Sequence, residues 1–106
     1  MRMTSDEFRV YAENVFRLQN EVISAITFAI EDGRVFEANE LALIEAAEDA
    51  VLEECVDINR IAVRRRDGGG LRPFRDAKAA RAVPNCEAAA LRGRAALADV
   101  TSASGQ

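Results

Sequence analysis

Apolar residues recur at every third or fourth position along the first thirty residues of the chain. One line runs over Phe8–Ala29, and a second line over Ala12–Ile30 lies beside it. Spacing that alternates between three and four residues is typical of an amphipathic helix. Thr4 and Glu7 stand three residues apart at its start, as the two members of a capping box do. The pattern therefore predicts a long first helix that begins just after Thr4.

The same periodicity resumes after Gly33, which suits the left-handed residue that often closes a helix. The apolar line from Leu41 to Ala62 predicts a second helix that begins at Phe36 or Glu37 and ends at Arg64. Each helix would have about 27 residues and be roughly 40 Å long. Because the connection between them is short, we expect an antiparallel helical hairpin.

The pattern weakens at Gly68–Gly70, since three successive glycines do not continue a helix. Two short helices are predicted beyond them, at Pro73–Val83 and Cys86–Asp99, with a break at Pro84–Asn85 between them. The second of these has a thin apolar line that runs from Cys86 to Val100. Thr101–Gln106 is predicted to be a disordered end. The chain is thus predicted to be all-α, with a hairpin core at residues 1–66 and a Gly/Arg/Ala-rich segment at 67–106.

The first helix has more apolar surface than one partner helix can cover. Strongly apolar residues are concentrated in residues 8–63, and the C-terminal segment offers mainly alanine. Small domains that bury too little surface often oligomerise. We therefore expect a homodimer, a four-helix bundle made from two hairpins. Its predicted interface consists of Phe8, Val15, Phe16, Ile23, Ile26 and Ile30.

Charge divides the chain into two parts. Residues 1–59 contain fourteen acidic residues and four arginines, net −10, whereas residues 60–106 contain nine arginines and one lysine against four acidic residues, net +6. An acidic helical surface attracts basic partners from a distance and makes association dependent on salt. Most acidic residues of the second helix lie opposite its apolar line, and Glu48 is the exception. The predicted partner-binding face contains Glu45, Glu48 and Glu53.

The arginine-rich part supports a different interpretation, in which guanidinium groups contact the phosphates of a nucleic acid. The alternatives are that these cations complement the end of a helix, or that they pair with the acidic helices. Phe74 is the one aromatic residue among them, which argues against single-strand binding by base stacking. The predicted nucleic-acid contacts are Arg64, Arg65, Arg66, Arg72 and Arg75.

Histidine is absent, so catalysis by a histidine acid or base and Glu-x-x-His di-iron sites are excluded. The two cysteines, Cys55 and Cys86, are too few for a zinc cluster. Cys55 lies on an apolar line and is predicted to be a small core residue. No run is apolar and long enough to span a bilayer, and no signal peptide is evident. We expect a cytoplasmic protein with reduced thiols, no membrane contact, no cofactor and no metal.

The stretch Ala29–Val35, followed by Glu40, Leu41 and an acidic alanine-rich helix, resembles the helix–Asp-Gly–helix hairpin of small phage and prophage regulatory or accessory proteins. The resemblance covers about a third of the chain and implies no site residues. Taken with the charge pattern, it leads us to expect a non-enzymatic interaction module, a small regulator or inhibitor that presents an acidic helical face to a partner protein. A nucleic-acid-associated regulator is the alternative.

Overall fold

Three long α-helices make up most of the described chain. The computed structural model describes residues 4–32, 35–60 and 77–104. Helix α1 spans Ser5–Glu31, α2 spans Ala38–Glu54 and α3 spans Ala77–Ser104, and residues 56–60 form a further helical segment after α2. No strand occurs within these described ranges, and the all-α prediction is confirmed.

The capping box predicted for α1 is present. The Thr4 backbone N–H donates to Glu7 Oε1 over 2.8 Å, and the Glu7 N–H donates to Thr4 Oγ1 over 3.1 Å. The hydrogen bond from the Thr4 backbone, followed by that with its side chain, lowers the pKa of the Glu7 carboxyl. Glu31 is the last residue of α1 and Asp32 its C-cap. Gly33, the predicted end of this helix, lies outside the described residues.

Helix α2 ends before the position that its sequence pattern predicts, and the predicted end at Arg64 lies outside the described residues. It ends at Glu54, and Cys55 forms a turn before the helical segment at 56–60. The Cys55 N–H donates to the Val51 carbonyl over 2.9 Å, and the Asn59 N–H donates to the Cys55 carbonyl over 3.0 Å. Hydrogen bonds with helical spacing are therefore present on both sides of this turn. The apolar face continues across Cys55, because Val51, Cys55 and Ile58 are all buried.

Helix α3 is one continuous element, so the break predicted at Pro84–Asn85 is wrong. Pro84 lies inside this 28-residue helix. Proline has no N–H to donate to the carbonyl four residues earlier, here that of Ala80, and it disfavours a helix interior. Ala80 and Pro84 are both exposed, so water can solvate that carbonyl, while Val83 and Cys86 are fully buried. Packing thus outweighs local propensity. Residues 101–104 are also helical, which corrects the disordered end predicted there.

The core extends past residue 66, because α3 supplies a large part of it. Helix α3 contacts α1 and α2 more extensively than those two helices contact each other. The apolar line predicted from Cys86 to Val100 is the face that α3 buries. The C-terminal segment therefore covers the hairpin within the same chain. The buried core residues are Phe8, Val15, Val22, Ile26, Ile44, Val51, Cys55, Ile58, Val83, Cys86, Ala89, Ala90 and Val100.

At Gly93 the backbone of α3 lies close to both other helices. A Cβ atom at this position would lie 3.2 Å from Val22 Cγ1, 3.3 Å from Val51 Cγ2 and 3.9 Å from Ile26 Cδ1. The first two distances are shorter than ordinary van der Waals contacts between carbon atoms. The missing side chain thus allows the backbone of α3 to lie against side chains of α1 and α2 at the same level.

Candidate functional site

The outward side of α2 presents a row of carboxylates. Glu45, Asp49 and Glu53 are exposed, and they follow one another at intervals of four residues. Residues four apart lie on one face of a helix, one turn above another. Within the described residues, no ion pair joins any of the three to a basic side chain. We call Glu45, Asp49 and Glu53 the acidic face.

Glu48 does not belong to the acidic face. It is half-buried on the side of α2 that meets α1, where the Thr27 hydroxyl donates to Glu48 Oε2 over 3.5 Å. The apolar line of the sequence already set Glu48 apart from the neighbouring acidic residues. Glu45 and Glu53, in contrast, lie where the sequence pattern places them. Of the three residues of the acidic face, Asp49 is the one that the sequence analysis did not select. Its spacing of four residues from both Glu45 and Glu53 was the signal that could have identified it.

Apolar side chains lie exposed beside these carboxylates. Leu52 follows Glu45 by two helical turns and is 49% exposed, and Leu43 on the same helix is also exposed. Val56 is exposed just after the turn at Cys55. Single exposed apolar residues are common on protein surfaces. Here they add apolar area, which a partner can contact, to the charge of the acidic face.

The residues predicted to form a dimer interface fall into two groups. Phe8, Val15 and Ile26 are buried in the chain's own core. Phe16, Ile23 and Ile30 are partly buried and pack against that core. The apolar surface from which a partner chain was inferred is thus covered in large part by α3.

The predicted nucleic-acid contacts Arg64, Arg65, Arg66, Arg72 and Arg75 lie outside the described residues. Arg60, at the end of the described segment, is exposed and pairs with Asp57 at 3.4 Å. Arg81, Arg92 and Arg94 are exposed on α3. Nucleic-acid binding by the arginine-rich segment stays a prediction.

Besides the contact of Thr27 with Glu48, polar contacts of Gln19 and Tyr11 hold α1 to the rest of the fold. The amide nitrogen of Gln19, a residue only 2% exposed, donates to Asn59 Oδ1 over 2.6 Å and to Asn20 Oδ1 over 3.3 Å. The Tyr11 hydroxyl donates to Glu87 Oε1 on α3 over 2.7 Å. Hydrogen bonding satisfies polar groups that burial would otherwise make unfavourable. These contacts fix the positions of α1 relative to the 56–60 segment and to α3.

The contact between Tyr11 and Glu87 predicts a pH-dependent stability. Burial, followed by the hydrogen bond and the charge of Glu87, raises the pKa of Tyr11 from 10.0 to about 12. Folding thus favours the neutral phenol, so its contribution is complete below pH 10 and is lost as the pH rises from 10 to 12. Tyr11 is the single tyrosine, so near-ultraviolet absorbance reports its ionisation alone. Tyr11→Phe should lower the free energy of unfolding by about 1 kcal/mol at neutral pH. Native Tyr11 that ionises near pH 10 would contradict this contact.

The two cysteines form a disulfide, so the prediction of reduced thiols is wrong. Cys55 at the end of α2 is bonded to Cys86 in α3, with their Cα atoms 4.6 Å apart. Cys55 is fully buried, as predicted for a core residue, but it is not a free thiol. The sequence placed each cysteine on an apolar line of a different helix. It contained no signal that the two lines face each other.

No group of three histidine, cysteine, aspartate or glutamate residues within the described part of the chain is arranged to hold a metal ion. A depression lined by Asp6, Glu7, Val10, Tyr11 and Asn14 lies on a single helix and opens widely to solvent. Enclosed, largely apolar walls are usual for small-molecule sites.

None of the helices in the described ranges combines the length and apolar character needed to cross a membrane. Comparison with protein-family models, with curated proteins and with solved structures found no match. The resemblance of the hairpin to phage accessory proteins therefore stays a prediction. The acidic face of α2 is the candidate functional site that the geometry defines most clearly.

Proposed function

We propose that this protein is a non-enzymatic interaction module, a small regulator or inhibitor, which binds a basic protein surface through the acidic face of α2. The observation that supports this is the exposed row of Glu45, Asp49 and Glu53. The sequence from Ala38 to Asn59 contains no lysine or arginine to neutralise it. The resemblance of the predicted hairpin to phage accessory proteins makes a phage or mobile-element origin part of the proposal.

Electrostatics and apolar contact have separate roles in this proposal. The three carboxylates attract a basic surface from beyond contact distance and so raise the association rate, with an effect that salt screens. Leu52, which is exposed and lies three residues after Asp49, supplies area that leaves water on binding. Apolar contact at the centre of an interface contributes much of the affinity, whereas surrounding charges act mainly on the rate and on specificity.

A homodimer remains part of the proposal, but its interface differs from the one that the sequence predicts. Phe8, Val15 and Ile26 cannot form its interface while they are buried in the core of their own chain. An interface that leaves this core intact would use exposed apolar residues such as Phe28 on α1, which is 70% exposed.

A cytoplasmic location also remains a proposal, and it requires the disulfide to persist in a reducing compartment. Disulfides are rare there because cellular thiols reduce them. Both cysteines are fully buried, so solvent reductants do not reach the bond in the folded protein.

Charge reversal with a matched control tests the proposed function. The variant Glu45→Lys/Asp49→Lys/Glu53→Lys changes the acidic face. The control Glu21→Lys/Glu31→Lys/Asp99→Lys makes the same change in net charge at exposed positions of α1 and α3. Circular dichroism and thermal unfolding establish that both variants fold.

Wild type and both variants are immobilised and exposed to extract from the source cell, and the protein retained by wild type is identified and purified. We expect the acidic-face variant to bind this partner with an association rate about tenfold lower at low salt, and the control to bind within about twofold of wild type. Equal losses in both variants would mean that only net charge matters. Retention of nucleic acid in place of a protein would favour the alternative function.

A further inference from the structure

The disulfide lies at the junction between α2 and the first part of α3. Cys55 is the C-cap of α2, and Cys86 is the tenth residue of α3. Both side chains are fully buried. A thiol in solution therefore cannot attack either sulfur atom while these elements remain packed, since exchange requires direct access to the disulfide. Reduction needs a local opening of the structure.

The proline of α3 lies directly beside this bond. Pro84, two residues before Cys86, removes a helical hydrogen bond and is the residue least compatible with a helix interior. Pro84 and Asn85 are exposed, so in this turn only Ala82 and Val83 pack into the core before Cys86. After Cys86, α3 is anchored by Ala89, Ala90, Gly93 and Val100.

We propose that the first part of α3, residues 77–86, is a redox-controlled latch. The disulfide holds it against the end of α2 although Pro84 disfavours the helix. Once the bond is reduced, residues 77–86 unfold locally and expose Val83 and both thiols. Residues 89–104 stay docked, because their packing against α1 and α2 does not depend on the bond. The free energy of a local opening of this kind is smaller than the free energy of global unfolding.

The reductant is a dithiol. Its thiolate attacks one protein sulfur during a local opening, the protein S–S bond breaks, and the other cysteine leaves as a thiolate that takes up a proton. The second thiol of the reductant then attacks the mixed disulfide and releases the first cysteine. In total, two electrons and two protons pass to the protein, and the dithiol becomes a disulfide.

Hydrogen exchange on the full chain tests the latch, with dithiothreitol as the reductant. We expect the backbone amides of residues 81–83, 85 and 86 to lose at least about tenfold more protection on reduction than those of residues 89–100, whose exchange should follow the global stability. Unchanged protection at 81–86 would overturn the proposal. Uniform loss of protection along α3 would also overturn it, because the bond would then hold the whole helix. A Cys55→Ala/Cys86→Ala variant should show the same local pattern without reductant.

Pro84→Ala tests the role of the proline. This variant restores the missing N–H, so we expect its disulfide to be reduced about tenfold more slowly than that of wild type, and residues 81–86 to stay protected after reduction. Ala95→Gly weakens α3 at an exposed position away from the bond and should leave the reduction rate within about twofold of wild type. Equal reduction rates in wild type and Pro84→Ala would show that access does not depend on this turn.

Discussion

Loss of the disulfide should lower the free energy of unfolding by about 3–4 kcal/mol, because the bond restricts the unfolded chain more than the folded one. The two cysteines are 31 residues apart in the sequence. Reduction opens the loop between them and so raises the conformational entropy of the unfolded chain. For a domain of this size we expect a fall of the thermal midpoint on the order of 15–25 °C. Thermal unfolding of wild type with and without dithiothreitol, at pH 7, measures it.

The Cys55→Ala/Cys86→Ala variant provides the control for the reductant. Its midpoint should lie near that of the reduced wild type and should not change when dithiothreitol is added. A thiol assay establishes that two thiols per chain are free in the reduced sample. If fully reduced wild type unfolded at the same temperature as the oxidised protein, the bond would not contribute to the stability of this fold.

Ile26→Ala should lower the free energy of unfolding by about 2–5 kcal/mol. Ile26 is fully buried, and its Cδ1 lies close to the backbone of α3 at Gly93. Truncation removes buried methyl groups and leaves a cavity where the three helices meet. Denaturant unfolding monitored by circular dichroism measures the change.

Val10→Ala is the matched control, since Val10 lies on the same helix and is 48% exposed. Its truncation should change the free energy of unfolding by less than about 0.5 kcal/mol. The loss of free energy caused by Ile26→Ala, relative to wild type, should not depend on protein concentration, because Ile26 packs within its own chain. Comparable losses in both variants, or a loss that changes on dilution, would contradict this placement of Ile26.

Local signals in the sequence predict the elements well. Thr4 and Glu7 are sufficient to locate the start of α1, because a capping box uses atoms only three residues apart. The apolar line from Cys86 to Val100 likewise identifies the buried face of α3, since a helix buries residues at a regular spacing. Each of these features depends on residues that are close together along the chain.

Long-range contacts decide the features that the sequence did not reveal. Pro84 lies inside a helix because Val83 and Cys86 on either side are buried against other elements. The Cys55–Cys86 bond depends on the placement of α3 beside the end of α2, which periodicity does not specify. The acidic face follows the helical pattern, but Glu48 is placed by its contact with Thr27 on α1.

The fold depends above all on the packing of α3 against α1 and α2 of the same chain, and nuclear Overhauser effects between protons of these helices test this packing directly. Gly93 should show strong effects to the methyl groups of Val22 and Val51, because their carbon atoms approach the Gly93 backbone closely. A mixture of isotope-labelled and unlabelled chains separates contacts within a chain from contacts between chains. We expect the Gly93 effects only within a chain. Their absence, or their appearance only between labelled and unlabelled chains, would contradict this fold.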